Sequence, residues 1–133
     1  MRAVIFDCFG VLTKAGSDKP DDELFAYIRD ELKPHYRLGI ISNAASNMLG
    51  ELFEPWQVKL FDDAVLSYET GTVKPEPDIY QLAAARLGVL PEECLFVDDI
   101  ERYCTAATEQ GMVSVWHQDT KETIAKMKEL LHA

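Results

Sequence analysis

Short apolar runs alternate with segments of helical periodicity along this chain, and the alternation limits the possible folds more than any other feature. The runs lie at residues 3–6, 38–41, 64–66, 95–97 and 113–116. Each run has the length and composition of a buried strand. Because strands that alternate with helices pair in parallel, the pattern predicts an α/β domain.

Apolar stripes and end signals mark the helices between these runs. One stripe lies in 21–33 (Leu24, Phe25, Ile28, Leu32) and another in 77–87 (Ile79, Leu82, Ala83, Leu87). Pro77 suits a first helical turn, Gly88 and Gly111 suit helix ends, and Asp119 with Glu122 has the spacing of a capping box. The expected architecture is a Rossmann-like three-layer sandwich, with a central parallel sheet of about five strands and helices on both faces.

The length and net charge of the chain limit the classes of protein to which it can belong. The chain has 133 residues, which suits one domain over 1–133, and 13 basic against 23 acidic side chains give a net charge of −10. This charge disfavours nonspecific binding to nucleic acid or to an anionic membrane. No apolar run approaches the roughly 20 residues that span a bilayer, and Asp7 comes too early for a secretory signal. We therefore expect a soluble cytoplasmic protein.

Cysteines and histidines are few and scattered: Cys8, Cys94, Cys104, His35, His117 and His132. The cysteines are odd in number and form no C-x-x-C pair. They are typical of reduced thiols rather than of a disulfide or zinc framework. The histidines have no ligand spacing, so we expect them to be structural.

Polar residues close three of the predicted strands. These are Asp7 after the first strand, Ser42 and Asn43 after the second, and Asp98 and Asp99 after the fourth. Lys74 lies in the loop GTVKPEP that follows the third strand. Ligands of open α/β sheets bind beyond the carboxyl ends of the strands, so these side chains are expected at one edge.

Gathering Asp7, Asp98 and Asp99 at one edge requires a compensating charge. Two carboxylates about 5 Å apart repel each other by about 3 kcal/mol at an effective dielectric constant of about 20. A proton or a cation relieves this repulsion, and oxygen ligands of this kind suit Mg²⁺. Lys74 and the Ser42 hydroxyl then suit phosphoryl oxygens, and a carboxylate can attack phosphorus to form an acyl phosphate.

Each of these residues also has a purely structural interpretation. Asp7 alone is typical of a turn cap, and the pair Asp98-Asp99 suits a solvated turn that opens a helix from 101. Ser42-Asn43 suits an N-cap for a following helix, Lys74 suits an exposed loop, and Phe9 suits packing against the flap loop.

Four motifs in order, DCFGV, ISNA, the lysine of VKPEP and FVDD, resemble the haloacid dehalogenase-like (HAD) superfamily over essentially the whole chain. The resemblance implies that Asp7 is the nucleophile and also a metal ligand. It implies that Ser42 and Asn43 contact the substrate and that Lys74 stabilises the phosphorylated centre. It further implies Mg²⁺ bound by Asp99, by Asp98 directly or through water, and by the backbone carbonyl of Phe9.

Three departures from the family pattern stand out. Phe9 occupies the position where most phosphatases of the family carry an acid–base aspartate, and its ring cannot move a proton. General acid–base catalysis is typically worth about 10²–10⁴ in rate. The change therefore predicts a slow enzyme, a leaving group that needs little protonation, or an acid from elsewhere. Residues 13–36 leave no room for a sizeable cap domain, and Tyr103 replaces a usual asparagine or aspartate.

The favoured function is a Mg²⁺-dependent phosphatase that acts through an aspartyl-phosphate on Asp7. The alternatives are a metal-independent 2-haloacid dehalogenase and a catalytically weak phosphate-binding or interaction domain. The expected partner is a phosphorylated substrate, either a small molecule or a macromolecule, and a homodimer is possible. Phe53, Trp56 and Phe61 suit core packing, a ligand platform or a dimer surface.

Overall fold

A computed structural model describes residues 1–131 and shows one five-stranded sheet. The strands are β1 (Ala3–Phe6), β2 (Arg37–Ser42), β3 (Asp63–Leu66), β4 (Cys94–Asp98) and β5 (Val113–Trp116). Their order is β3-β2-β1-β4-β5, and every neighbouring pair is parallel. The predicted parallel α/β architecture is confirmed, and each predicted strand lies within one of these five.

Seven α-helices lie within the described residues. They are α1 (Asp22–Tyr27), α2 (Leu49–Leu52), α3 (Pro55–Val58), α4 (Ser67–Thr70), α5 (Pro77–Arg86), α6 (Glu101–Glu109) and α7 (Thr120–Leu131). A π-helical turn over Ile28–Leu32 continues α1, and a 3₁₀ turn over Pro91–Glu93 precedes β4. The long helices match the predicted segments. The one-turn helices α2, α3 and α4 were not predicted because four residues show no periodicity.

The period-two alternation of the strands divides the core between the two faces of the sheet. In β1, Val4 and Phe6 pack with α1 and α7, whereas Ala3 and Ile5 pack with α5 and α6. All four of these side chains are fully buried. The result is the predicted three-layer sandwich, in which helices cover both faces of the sheet.

Helix ends follow the local sequence signals. Gly88 and Gly111 have φ angles of 74° and 100°, a region that only glycine adopts at little cost. The Asp21 carboxylate caps α1 by accepting a hydrogen bond from the Leu24 N–H at 3.1 Å. Asp119 caps α7 in the same way, accepting from the Glu122 N–H at 3.0 Å.

The order of the strands determines where a site can form. The chain runs from β1 outward to β3, then returns to the other side of β1 as β4. The direction of winding therefore reverses at β1, and α/β sheets open a crevice at the carboxyl ends of the strands at such a point. Asp7 and Asp98 lie beside this crevice.

The three cysteines and His117 are packed inside the structure. All three cysteines are buried free thiols, as predicted. His117 is buried, and its Nδ1 lies 2.7 Å from the Thr123 hydroxyl. The prediction for His132 falls outside the described residues. No helix in residues 1–131 combines the length and the apolar character that crossing a membrane requires.

An aromatic cluster connects α1 with the α2–α3 segment. The buried ring of Phe25 lies 5.3 Å from Phe53, 6.2 Å from Trp56 and 6.3 Å from Phe61, measured between centroids. Phe53 is buried and Phe61 partly buried, whereas Trp56 is 39% exposed at the edge of the cluster. Core packing therefore accounts for these residues.

Replacement of Phe25 by alanine is expected to destabilise the protein by about 3–5 kcal/mol, because it removes a fully buried ring and leaves a cavity. Urea unfolding followed by circular dichroism measures this change. Trp56→Ala is the matched control, and its effect should be clearly smaller because the indole is partly exposed. Equal costs for the two variants would show that Phe25 is not the centre of the cluster.

Candidate active site

The turn after β1 brings Asp7 to the crevice. The Asp7 N–H donates to the Val97 carbonyl at 2.9 Å, which continues the β1–β4 pairing to the carboxylate itself. Cys8–Leu12 then forms a tight turn in which Gly10 has a φ of 82°. A Cβ at Gly10 would collide with the Asp99 carboxylate. The glycine thus lets the turn and the aspartate pair approach closely.

Lys74 joins the ends of β1 and β4. Its Nζ lies 2.8 Å from Asp7 Oδ1 and 2.7 Å from Asp98 Oδ2. The lysine is only 3% exposed, so its interpretation as an ordinary exposed loop lysine is wrong. A buried ammonium group needs such partners, because without them desolvation would favour its neutral form.

Asn43 positions the lysine through its backbone. The Asn43 side-chain oxygen accepts from the Lys74 N–H at 2.8 Å, and its Nδ2 donates to the Lys74 carbonyl at 3.1 Å. The interpretation of Ser42-Asn43 as the N-cap of the next helix is wrong, because α2 begins only at Leu49. Asn43 instead links the end of β2 to the loop that carries the lysine.

Three carboxylates converge at the crevice. Single oxygen atoms of Asp7, Asp98 and Asp99 all lie within 4.8 Å of one another, and this is the one such cluster of potential metal ligands in residues 1–131. Asp98 is fully buried, and its Oδ1 accepts from the Ile100 N–H at 3.0 Å. A solvated turn is therefore the wrong interpretation for Asp98. Three carboxylates against one ammonium leave excess negative charge, and this all-oxygen set fits Mg²⁺.

The pKa values of Asp7, Asp98 and Lys74 reflect the same excess of negative charge. Burial raises the pKa of Asp7 to about 7, and the neighbouring Asp98 charge adds to the shift although Lys74 opposes it. Burial also raises the pKa of Asp98, again against the effect of Lys74. For Lys74 burial acts in the opposite direction, but attraction to Asp7 and Asp98 holds its pKa above the usual value. The site therefore favours an added cation.

A cavity of about 270 Å³ opens above these groups. Its lining residues are Asp7, Phe9, Ser42, Asn43, Lys74, Asp99, Ile100 and Tyr103. Ser42 ends β2 and is 1% exposed. A larger cavity of about 410 Å³ lies at the starts of α1 and α7, where Asp21 already accepts hydrogen bonds from Leu24 and Thr120. We therefore place the candidate site in the smaller cavity.

Two aromatic residues line the mouth of this cavity. Phe9 is 45% exposed, so packing against the flap loop accounts for only part of its surface. Tyr103, on the first turn of α6, has its ring centroid 5.1 Å from the Lys74 Nζ. Its hydroxyl lies 3.4 Å from Asn43 Nδ2 and 3.2 Å from Arg102 Nη2. In the sequence, Tyr103 stands out only as a departure from the family pattern. Its position shortly after Asp98-Asp99 nevertheless indicates that it lies near the site.

Comparison with known proteins shows the family of this chain. A family model described as haloacid dehalogenase-like hydrolase matches residues 15–109, a range that contains Ser42, Lys74 and the pair Asp98-Asp99. The chain is 32% identical over 105 residues to the glyceraldehyde 3-phosphate phosphatase of Methanopyrus kandleri, a match that covers 77% of this chain and 45% of that protein. The chain spans less than half the length of the curated relatives it matches first.

Solved structures show the same fold. An uncharacterized protein from Corynebacterium glutamicum superposes with a TM-score of 0.86 at 27% identity, covering 99% of this chain and 96% of that one. A HAD family enzyme from Bacteroides thetaiotaomicron, solved in complex with magnesium and inorganic phosphate, superposes with a TM-score of 0.59 at 26% identity. That match covers 73% of this chain and 50% of that one. By its sequence motifs, its sheet and these relatives, the chain belongs to the haloacid dehalogenase-like hydrolases.

Proposed function

We propose that the protein is a Mg²⁺-dependent phosphatase in which Asp7 is the nucleophile. The observation that supports this most directly is the contact of Asp7 with Lys74, beside a cluster of three carboxylates and a cavity. The Asp7 carboxylate is held by one ion pair at a strand end, and Oδ1 is the oxygen that Lys74 contacts. Its other oxygen is free of Lys74 and remains for attack on phosphorus.

The reaction proceeds in two displacements. An Asp7 oxygen forms a bond to phosphorus while the bond from phosphorus to the leaving oxygen breaks, which gives an aspartyl-phosphate and an alkoxide that takes up a proton to leave as an alcohol. Water then attacks phosphorus, the bond to Asp7 breaks, and inorganic phosphate leaves. Through both steps the Ser42 hydroxyl and the Lys74 ammonium bind the phosphoryl oxygens and offset the charge that develops on them.

The residues present fit a magnesium ion. Asp7, Asp98, Asp99 and the backbone carbonyl of Phe9 would hold it, and these are hard oxygen donors. A bound Mg²⁺ supplies Lewis acidity toward a phosphoryl oxygen and lowers the repulsion between an anionic substrate and the carboxylates. The magnesium and phosphate bound by the related Bacteroides enzyme, and the phosphatase activity named for the Methanopyrus relative, support this assignment.

The shape of the site bears on the substrate. Between β1 and β2 the chain forms the Cys8–Leu12 turn, a loop and α1, with its continuation over Ile28–Leu32, and α1 packs on the sheet rather than over the crevice. We propose that the core therefore acts without a cap of its own. An open crevice admits phosphorylated macromolecules as well as small molecules, because none of residues 13–36 lines the cavity.

Asp7→Asn is expected to lower the hydrolysis of p-nitrophenyl phosphate by about 10³-fold or more, because the amide cannot form the acyl phosphate. Phosphate release with Mg²⁺ and with a chelator measures this. Asp78→Asn, which changes an exposed carboxylate on the first turn of α5, is the matched control and should retain activity. Turnover that persists in Asp7→Asn, or that the chelator does not reduce, would contradict the proposal.

Metal-free protein is expected to lose stability as the pH rises from about 4 to about 7. The folded protein keeps the proton of Asp7 up to a pKa of about 7, whereas the unfolded chain releases it near the ordinary aspartate pKa of 3.8. The folded state therefore binds more protons in this window, and stability falls with pH through it and levels off above. The melting temperature in a chelating buffer at pH 5 and pH 8 measures the effect.

The Asp7→Asn variant separates this contribution from other titrations. Its melting temperature should fall less between pH 5 and pH 8 than that of the wild type, because the buried charge is gone. Added Mg²⁺ should raise the melting temperature of the wild type more at pH 8 than at pH 5. The same pH dependence in both proteins would show that Asp7 does not titrate in this range.

A further inference from the structure

We propose that the Tyr103 hydroxyl protonates the leaving oxygen, the task that Phe9 cannot perform. This inference rests on the proposed phosphatase function and names the proton donor of that site. The juxtaposition behind it is a phenol at the mouth of the cavity that contains Asp7, with its oxygen held by two hydrogen-bond donors.

The orientation of the Asn43 amide determines how the Tyr103 hydroxyl is bonded. Because the Asn43 oxygen accepts from the Lys74 N–H, its Nδ2 is the atom that faces Tyr103, and an amide nitrogen can only donate. Arg102 likewise has only donors. The phenolic oxygen thus accepts two hydrogen bonds, at 3.4 Å and 3.2 Å, and its own proton has no acceptor among the residues that the structure describes.

The ring itself is held in place from several sides. The Tyr80 hydroxyl donates to the Tyr103 carbonyl at 3.0 Å, which ties the start of α6 to α5. The Lys74 Nζ lies 5.1 Å from the Tyr103 ring centroid, and the Arg102 guanidinium carbon lies 5.0 Å from it. A proton donor must be positioned before the reaction, and these contacts supply that positioning.

The other side chains of the cavity are poorer donors. Phe9 and Ile100 have no polar hydrogen, and the Asn43 amide is committed to Lys74 and Tyr103. Lys74 donates to both Asp7 and Asp98, and its loss of a proton would leave those buried carboxylates unpaired. Asp7 and Asp99 belong to the carboxylate cluster, and the Ser42 hydroxyl binds phosphoryl oxygens in the proposed function. Tyr103 is the remaining side chain at the mouth, where a leaving group would depart.

The surroundings also suit the charge that this transfer leaves behind. When the Tyr103 proton moves to the leaving oxygen, negative charge develops on the phenolic oxygen. The Asn43 and Arg102 donors point at that oxygen, and hydrogen bonds to a charged acceptor are stronger than those to a neutral one. The Lys74 ammonium nearby adds attraction.

The proton balance closes over the two displacements. In the first, the bond from phosphorus to the leaving oxygen breaks and that oxygen takes the Tyr103 proton, so the product leaves as a neutral alcohol. In the second, the attacking water gives a proton to the phenolate as its oxygen bonds to phosphorus. The tyrosine is restored, and no further reactant is required.

Tyr103→Phe tests the proposal, because it keeps the ring and removes only the hydroxyl. The measurement is kcat/KM for p-nitrophenyl phosphate, whose leaving group needs little protonation, and for ethyl phosphate, whose leaving group needs much. We expect the ratio of the aryl to the alkyl value to rise by about 10²-fold, within the range that general acid catalysis supplies. A series of substituted phenyl phosphates should show a steeper dependence on leaving-group basicity.

Three further variants make the test specific. Tyr36 lies just before β2, at the amino-terminal end of the strands, and its hydroxyl donates to the Leu131 carbonyl. Tyr36→Phe removes this distant hydroxyl and should leave the ratio unchanged. Phe9→Asp in the Tyr103→Phe background supplies a carboxylic acid near the nucleophile and should restore ethyl phosphate hydrolysis. Arg102→Gln, at an exposed position, should raise the ratio by a smaller factor.

The possible results separate this inference from the proposed function. Equal losses for both substrates in Tyr103→Phe would overturn it in favour of a positioning role, and no loss for either would place the proton donor elsewhere. A thermal unfolding transition shows whether Tyr103→Phe is folded. If it is not, the ratio of aryl to alkyl kcat/KM in Arg102→Gln decides whether Tyr103 is the proton donor. Wild-type protein that hydrolyses neither substrate would overturn the phosphatase function itself.

Discussion

The buried ammonium of Lys74 is the interaction on which the site depends. It lies between Asp7 and Asp98, so one cation joins the loop after α4 to the ends of two adjacent strands. Removing a partner from such a buried pair leaves an uncompensated charge, which is strongly destabilising. One ammonium for three clustered carboxylates also leaves the site short of positive charge. The arrangement that fixes the geometry therefore also creates the demand for a cation.

Asn43 extends this arrangement from the carboxylates to the mouth of the cavity. Its amide makes two hydrogen bonds to the Lys74 backbone and a longer one to the Tyr103 hydroxyl. The end of β2, the loop that carries Lys74 and the first turn of α6 are thereby connected through one side chain. Asp7 and the residues at the mouth do not sit on independent loops, and a change in one is transmitted through a short chain of polar contacts.

The presence of Phe9 in place of an acid changes the surface of the site as well as its chemistry. An aromatic ring at that position is 45% exposed at the entrance, where it presents apolar surface to whatever enters. The phenol at the entrance belongs to Tyr103, on α6 instead of on the turn after β1. A helix that packs on the sheet positions a side chain more rigidly than a loop does.

The sequence alone determined the parallel sheet and the strand ends where Asp7, Ser42, Asp98 and Asp99 lie, because strand length, alternation and chain order are local properties with general geometric consequences. The tertiary structure decided what each side chain contacts there. Burial of Lys74 depends on partners 67 and 24 residues away, and the Asn43–Tyr103 contact spans 60 residues. The exposure of Phe9 follows from how the turn after β1 packs, and the orientation of Tyr103 follows from how α6 packs. No local sequence pattern encodes either.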